Sequence, residues 1–272
     1  MSNACELVDI GVNLTHRRFD RDRDAVIDRA IDAGVTTMIL TGVDTNESRS
    51  ALDLAGRRPG QLWATAGVHP HHARDWNAET GSEIRELAVD PRVVAIGETG
   101  LDFNRDFSPR PVQERVFARQ LELAVELQRP VFLHQRDAQD RFLAILRDYR
   151  DSLLETVVHC FTGGRAELWS YLDLDLYIGI TGWVCDERRG ELLRSCVCDI
   201  PDDRLLIETD APYLTPRDLE PKPRDGRNEP AFLPHILRRL AQLRGCHAQQ
   251  LANTATAAAR RFFRIGPGKN EL

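Results

Sequence analysis

Glu98, His134, His159 and Asp210 each stand at the carboxyl end of a separate apolar run: VVAIG, PVFL, ETVV and LLIET. Carboxylates and neutral imidazoles can fix a divalent ion while leaving positions open for water and a substrate oxygen. An ion so held lowers the pKa of bound water from about 15.7 towards about 7 and polarises a carbonyl or phosphoryl oxygen, so the chemistry indicated is hydrolysis. Asp210 is the candidate to orient that water and take its proton. His69, His71 and His72 follow a further run in TAGVHPHHA, and His69 and His71 are candidates to bind a substrate's negative oxygen. Each residue also has a plainer explanation. A buried Glu98 could pair with an arginine, one histidine on an apolar strand is more often a satisfied core residue, and His71 and His72 could be surface residues near a turn. Two histidines at successive strand ends, with an acid before and after, weigh against coincidence.

The elements that must position these groups recur regularly. Eight short aliphatic or β-branched runs lie at 7–13, 36–43, 62–68, 93–97, 131–134, 157–161, 176–180 and 205–209. Between them, sets such as Val112, Val116, Leu123 and Leu127, or Phe142, Leu146 and Tyr149, fall on one side of a 3.6-residue helix. Near-continuous apolar strands alternating with amphipathic helices indicate a parallel sheet covered by helices, and eight such units predict a (β/α)8 TIM barrel. Metal-binding groups gathered at the carboxyl ends of the strands are where a barrel enzyme builds its site. Asp137 and Thr162 are expected N-caps, and Pro109 and Pro111 mark entry to the helix before Gln128. A polar, proline-rich stretch, YLTPRDLEPKPRDGRNEP, follows the eighth run and is expected to be a substrate-binding loop, with a plain connector as the alternative. Two helices come next, and 266–272 is expected to be a frayed tail. One domain spanning 1–272, with a core at about 7–265, is the expectation, because such barrels occupy about 250 residues as one unit.

With 42% hydrophobic and 29% charged residues, the composition is that of a water-soluble globular protein. No apolar stretch approaches the roughly 20 residues that cross a bilayer, so a membrane protein is not expected. The amino terminus has no basic segment followed by a long apolar one, and the six cysteines form no paired CxxC set, so thiols in a cytoplasmic, reducing compartment are expected. Cys160 beside His159 is not expected to be a nucleophile, since adjacent strand residues point to opposite faces. The formal net charge of −6 repels a polyanion, so nucleic-acid binding requires a local basic patch or a bound metal. Arg17, Arg18, Arg21 and Arg23 form one such cluster; Arg217, Lys222, Arg224 and Arg227 form another, diluted by Asp218, Glu220 and Asp225.

Taken together, DIGVNL at 9–14, GVHP at 67–70, AIGETGLDF at 95–103, PVFLHQRDA at 130–138, VVHCFTG at 157–163, YIGITGWVCD at 177–186, LLIETDAPYL at 205–214 and RNEP at 227–230 carry a resemblance. The chain resembles the TatD family of metal-dependent deoxyribonucleases, within the amidohydrolase-like metallohydrolase barrels, from about Asp9 to about Phe263. DIGVNL and GITGWVCDERRG look closest to a bacterial branch of the family described as magnesium-dependent 3′ to 5′ exonucleases on single-stranded DNA and RNA, and the resemblance implies that activity here. The resemblance implies metal ligands at Glu98, His134, His159 and Asp210, and a substrate or catalytic role for His69. Glu98, Asp210 and His69 are therefore the catalytic candidates, and His71, Asn13, Arg136 and Arg227 the substrate-binding ones. Many family members carry a HxH pair on the first strand, where this chain has Gly11 and Asn13. One firm metal site is thus expected, with any second ion weak. A set of two carboxylates and two histidines favours Mg2+, with Mn2+ or Zn2+ as alternatives. The expected partner is single-stranded DNA or RNA, with no membrane and no obligate protein partner. Two other functions remain open at this point: hydrolysis of a small ester, amide or lactone, and a non-catalytic barrel with a degraded metal site.

Overall fold

Valine, isoleucine and leucine at consecutive positions bury both faces of a strand, and this is what the apolar runs do. In the computed structural model, which describes residues 6–266, the strands are β1 (Leu7–Val12), β2 (Val35–Leu40), β3 (Leu62–Ala66), β4 (Val93–Asp102), β5 (Val131–Arg136), β6 (Thr156–Val158), β7 (Tyr177–Ile180) and β8 (Leu205–Ile207). They follow one another in chain order in an eight-stranded sheet. The helices are α1 (Arg23–Asp32), α2 (Thr45–Arg57), α3 (Thr80–Ala88), α4 (Arg110–Leu127), α5 (Gln139–Tyr149), α6 (Arg165–Leu172), α7 (Glu191–Cys196), α8 (Leu233–Arg244) and α9 (Ala248–Phe263). Strand and helix alternate as the periodicity predicts. Among the described residues no helix is long and apolar enough to cross a membrane.

Contacts divide the chain into two compact units, one of residues 40–159 with 174–176 and one of the remainder. In the first, β3 to β6 run parallel, and Ile96 pairs with Val131 and Gly100 with His134. The ten residues of β4 are all buried, and its register with β5 shifts between Ile96 and Thr99. Helix α4 covers these strands with Val116, Phe117, Leu121 and Ala124, and Phe117 stacks on Phe142 of α5 with ring centroids 5.2 Å apart. It also supplies two buried glutamines. Gln120 accepts from the Val68 amide at 2.7 Å and donates to the Val68 carbonyl at 2.9 Å and the Thr99 hydroxyl at 2.6 Å. Gln113 accepts from the Asp102 amide at 2.9 Å and donates to the Asp102 and Ser108 carbonyls. Both satisfy backbone groups at or just past the end of a strand.

In the second unit, α8 and α9 bury Leu233, Ile236, Leu240, Leu251, Ala255 and Phe262. The proline-rich stretch before α8 is anchored. Asn228 donates to the carbonyls of Thr209 at 2.8 Å and Tyr213 at 2.7 Å, and Arg227 is held by Asp22 and Glu229.

Three local expectations are corrected. Strand β4 extends to Asp102 instead of stopping at 97, because its pairing resumes with β5 from Thr99 onwards. Asp137 and Thr162 are not N-caps. The N-cap positions of α5 and α6 are Ala138 and Gly164, and Asp137 adopts a left-handed φ of 53° that takes it out of the cap geometry. The entry at Pro109 and the end of α4 before a left-handed Gln128 are as predicted. The expected tail lies outside the described residues beyond Gly266.

Gly97 and Gly100 adopt φ of +140° and +144°, where a β-carbon would overlap the carbonyl oxygens of Phe132 and His134 respectively. Both strain and collision then oppose any side chain. Gly100→Ala is expected to lower unfolding free energy by about 1–3 kcal/mol, read from the denaturant midpoint. Gly60→Ala, at a positive φ in open space, should cost distinctly less; equal losses would show that the collision does not matter.

Candidate metal centre

Strand geometry brings three of the four expected ligands together. Glu98 lies where the β4 register shifts, and its carboxylate is buried. Its Oε1 is 2.8 Å from Nε2 of His159, 2.9 Å from Nδ1 of His134 and 3.3 Å from Nε2 of His69. Burial alone would raise the pKa of Glu98, but the neighbouring His159 and His69 rings and the hydrogen bonds from His134 and His159 hold it well below the usual carboxylate range. Burial pushes the pKa of His69 down to about 4 despite Glu98, so this imidazole is neutral at pH 7.

The donor set fits a divalent cation. Nδ1 of His134 and Nε2 of His159 both face one oxygen of the buried Glu98 carboxylate, and unprotonated imidazole nitrogens beside a carboxylate are a ligand set for a divalent cation. His134 carries the second mark, since its buried Nε2 has no hydrogen-bond partner and lies 3.5 Å from Asp102 Oδ2. An imidazole that ligates through Nδ1 places its remaining N–H at Nε2, facing a carboxylate that fixes the tautomer. His69 differs from the other two. Its Nδ1 accepts from the His71 amide at 3.1 Å, so its Nε2 bears the proton and is a donor. Ring or carboxylate atoms of His69, Glu98 and His134 all lie within 4.8 Å of one another, with His69 on the donor side of the group.

Asp102 is a functional candidate that the sequence reading passed over. Its Oδ2 is 2.7 Å from His71 Nε2, and its Oδ1 accepts from the amides of Asn104 and Arg105. Burial would raise its pKa; the His134 ring 3.5 Å away and the hydrogen bonds from His71 and the Arg105 amide pull it far below the normal carboxylate value. The signal was available, because Asp102 stands four residues after Glu98 in AIGETGLDF, and an even spacing on a strand points two side chains to one face.

Asp210 belongs to the other compact unit. It adopts a left-handed φ of 53°, its amide donates to Gly11 O at 2.9 Å, and Asn13 Nδ2 donates to its Oδ1 at 3.0 Å. Gly11 and Asn13, the departure from HxH, thus both bond to Asp210. Arg136 is exposed at the end of β5. Arg227 donates to Asp22, Glu229 and the Arg18 carbonyl and is stacked over Phe19 at 4.9 Å. Arg18 and Arg23 of the first basic cluster likewise donate to main-chain carbonyls, those of Pro212 and Asp225 and those of Leu14 and Thr15. Arg189 pairs with Asp186 at 2.7 Å and stacks on Trp183 at 4.3 Å.

Comparison with known proteins decides the kinship of this site. A family model described as TatD related DNase matches residues 8–264. The chain belongs to the TatD family. The 3′-5′ ssDNA/RNA exonuclease TatD of Erwinia billingiae is 56% identical over 259 residues, covering 95% of this chain and 99% of that one. The TatD exonuclease of Musicola paradisiaca is 56% identical over 260 residues, with 96% and 98% covered. Among solved structures, the TatD homologue YjjV of Escherichia coli K12 superposes with a TM-score of 0.87 at 25% identity, covering 97% of this chain and all of that one. The architecture of this TatD chain is accordingly the (β/α)8 TIM barrel, as predicted, and use of a divalent metal goes with the family.

A buried pair holds the main chain next to Asp210. Asp9 Oδ1 accepts from the Thr209 amide at 2.9 Å, and its Oδ2 lies 2.5 Å from the Thr209 hydroxyl. Burial raises the pKa of Asp9 from 3.8 to about 8, against the hydrogen bonds from Thr209. Below about pH 4 folded and unfolded chains both hold this proton. Between about 4 and 8 only the folded chain does, so stability falls as pH rises through that window. Asp9→Asn, which cannot ionise, is expected to flatten this part of the stability profile measured by urea unfolding; an unchanged slope would show that Asp9 does not titrate there.

Proposed function

We propose that this chain is a divalent-metal-dependent nuclease, a 3′ to 5′ exonuclease that hydrolyses phosphodiester bonds of single-stranded DNA and RNA in the cytoplasm, built as a single barrel domain. Relatives of that name share 56% of residues over almost the whole length, and the family is one of hydrolases acting on such bonds. The observation that carries the reading is the convergence of His134 Nδ1, His159 Nε2 and His69 Nε2 on Glu98 Oε1. That none of the described cysteines is in a disulfide supports a reducing compartment.

Glu98, His134 and His159 would hold the ion, and the sequence pattern adds Asp210 as the fourth ligand. When bound, a divalent ion neutralises charge on the phosphoryl group and makes water a nucleophile near neutral pH. Mg2+ is the ion of this proposal: two carboxylates with two imidazoles form a hard, weakly chelating set, and Gly11 supplies no side chain for a second firm site. Asp210, with Oδ1 oriented by Asn13, takes the proton of the attacking water. His69, neutral and protonated at Nε2, donates to a phosphoryl oxygen, and the hydrogen bond from the His71 amide holds that tautomer in place. Asp102 positions His71 and faces the far nitrogen of His134. Arg136 is the candidate for a neighbouring phosphate. Arg227, enclosed by Asp22 and Glu229, acts by holding the 213–230 stretch in place.

Chelation is expected to abolish nucleotide release from 5′-labelled single-stranded DNA, and Mg2+ or Mn2+ to restore it. Glu98→Ala and Asp210→Asn should each reduce kcat by about two orders of magnitude or more, with the product ladder shortening from the 3′ end in the wild type. Retention of full activity in either variant, or in chelator, would sink the proposal. Because a single-strand phosphate contact contributes a slope of about −0.7 to log K against log salt, Arg136→Ala should weaken DNA binding and make its salt dependence shallower by about that amount. An unchanged slope in fluorescence-anisotropy titrations would remove Arg136 from the substrate track.

A further inference from the structure

A second group of potential ligands lies outside the centre around Glu98. Cys185 closes the 3-10 turn Gly182–Cys185 that follows β7, Asp218 lies in the 213–230 stretch, and His235 is in the first turn of α8. Their thiol, carboxylate and imidazole atoms all fall within 4.8 Å of one another. His235 Nε2 is 2.7 Å from Asp218 Oδ1. The Cys185 side chain is 2% exposed, yet its sulfur faces the Asp218 carboxylate, an unusual neighbour for a cysteine serving only as a small apolar core residue. Arg239 approaches the other carboxylate oxygen, with Nε at 4.0 Å from Oδ2, but this buried Nε makes no hydrogen bond.

We propose that Cys185, Asp218 and His235 bind a divalent ion of the zinc class, at a site separate from the hydrolytic centre. Thiolate, imidazole and carboxylate are the three protein donors zinc accepts in tetrahedral sites, and three of them leave one position for solvent. Magnesium takes oxygen ligands and keeps its water, so a thiolate selects against the ion proposed for hydrolysis. The ligands carry charge opposite to the ion. One thiolate and one carboxylate offset a divalent ion, with the neutral imidazole as third donor, and binding exchanges the thiol proton for the ion. The ligands come from three separate stretches of chain, so the ion would fasten the proline-rich stretch at Asp218 to both the turn after β7 and the start of α8. Held there, the ion would brace the polar loop from three sides, with its fourth position left to water.

Cobalt(II), which reports thiolate ligation by a near-ultraviolet charge-transfer band, tests this on the full chain after chelator treatment and dialysis. The band should grow to saturation, reach it at one equivalent in Glu98→Gln, disappear when Zn2+ is added and survive excess Mg2+. It should be lost in Cys185→Ser and need more than about tenfold more cobalt in His235→Gln, while Glu98→Gln and Cys160→Ser retain it. Should Cys185→Ser fail to fold by circular dichroism, His235→Gln carries the test alone. Absence of the band in the wild type, its persistence in Cys185→Ser, an unchanged titration in His235→Gln, or its loss in Cys160→Ser or Glu98→Gln would each overturn the proposal. Because Glu98→Gln separates the two centres, failure here leaves the nuclease reading untouched, and the reverse also holds.

Discussion

The buried carboxylate of Glu98 sets the terms for the structure around it. Removing a carboxylate from water costs several kcal/mol unless charge or hydrogen bonds replace the lost hydration. Here the replacement comes from His69, His134 and His159, each carried by a different stretch of the chain and each within 3.3 Å of the same oxygen. Satisfying Glu98 and assembling a metal-binding constellation are therefore one requirement. Two of the atoms that make the buried acid tolerable, Nδ1 of His134 and Nε2 of His159, are also ones that can ligate a cation.

Holding that geometry falls to parts of the chain that do no chemistry. Helix α4 reaches the strands through Gln113 and Gln120, which bond the main chain at Asp102 and Val68, so the ends of β4 and β3 are fixed by side chains where sheet pairing is lost. Gly97 and Gly100 let β4 approach β5 at the carbonyls of Phe132 and His134, and the register shift between Ile96 and Thr99 spans Glu98. In the other unit Asp9 and Asn228 hold the main chain at Thr209, and Asn13 bonds to Asp210 itself. Rigid support of this kind matters for catalysis because small errors in placement are costly to rate.

An acidic chain acting on a polyanion looks contradictory only if charge is counted over the whole molecule. With a formal net charge of −6, attraction must be local. Several arginines that a sequence would offer for that purpose are engaged elsewhere: Arg227 with Asp22 and Glu229, Arg189 with Asp186, and Arg18 and Arg23 with main-chain carbonyls. In the nuclease proposed above, charge neutralisation at the reacting phosphate would therefore fall to the ion, with His69 adding a hydrogen bond rather than charge.

The eight strands, the alternating helices and the identity of Glu98, His134 and His159 as candidates were legible in the sequence. Consecutive aliphatic residues leave a buried parallel strand as the simplest outcome, and a polar group closing such a run has few structural reasons to be there. Asp102 was also within reach, hidden only because β4 was expected to stop at 97. Other features had no local signature. That Asn13 bonds Asp210, that Arg227 is enclosed by acids at positions 22 and 229, that His69 is held in one tautomer by the next histidine's amide, and that Cys185 meets Asp218 and His235 all depend on residues brought together by folding. Residue type and spacing determine what a side chain can do and which face of its element it occupies. Which partner satisfies it is decided by long-range packing, because hydrogen bonds and ion pairs form between whichever groups the fold places within about 3 Å of each other.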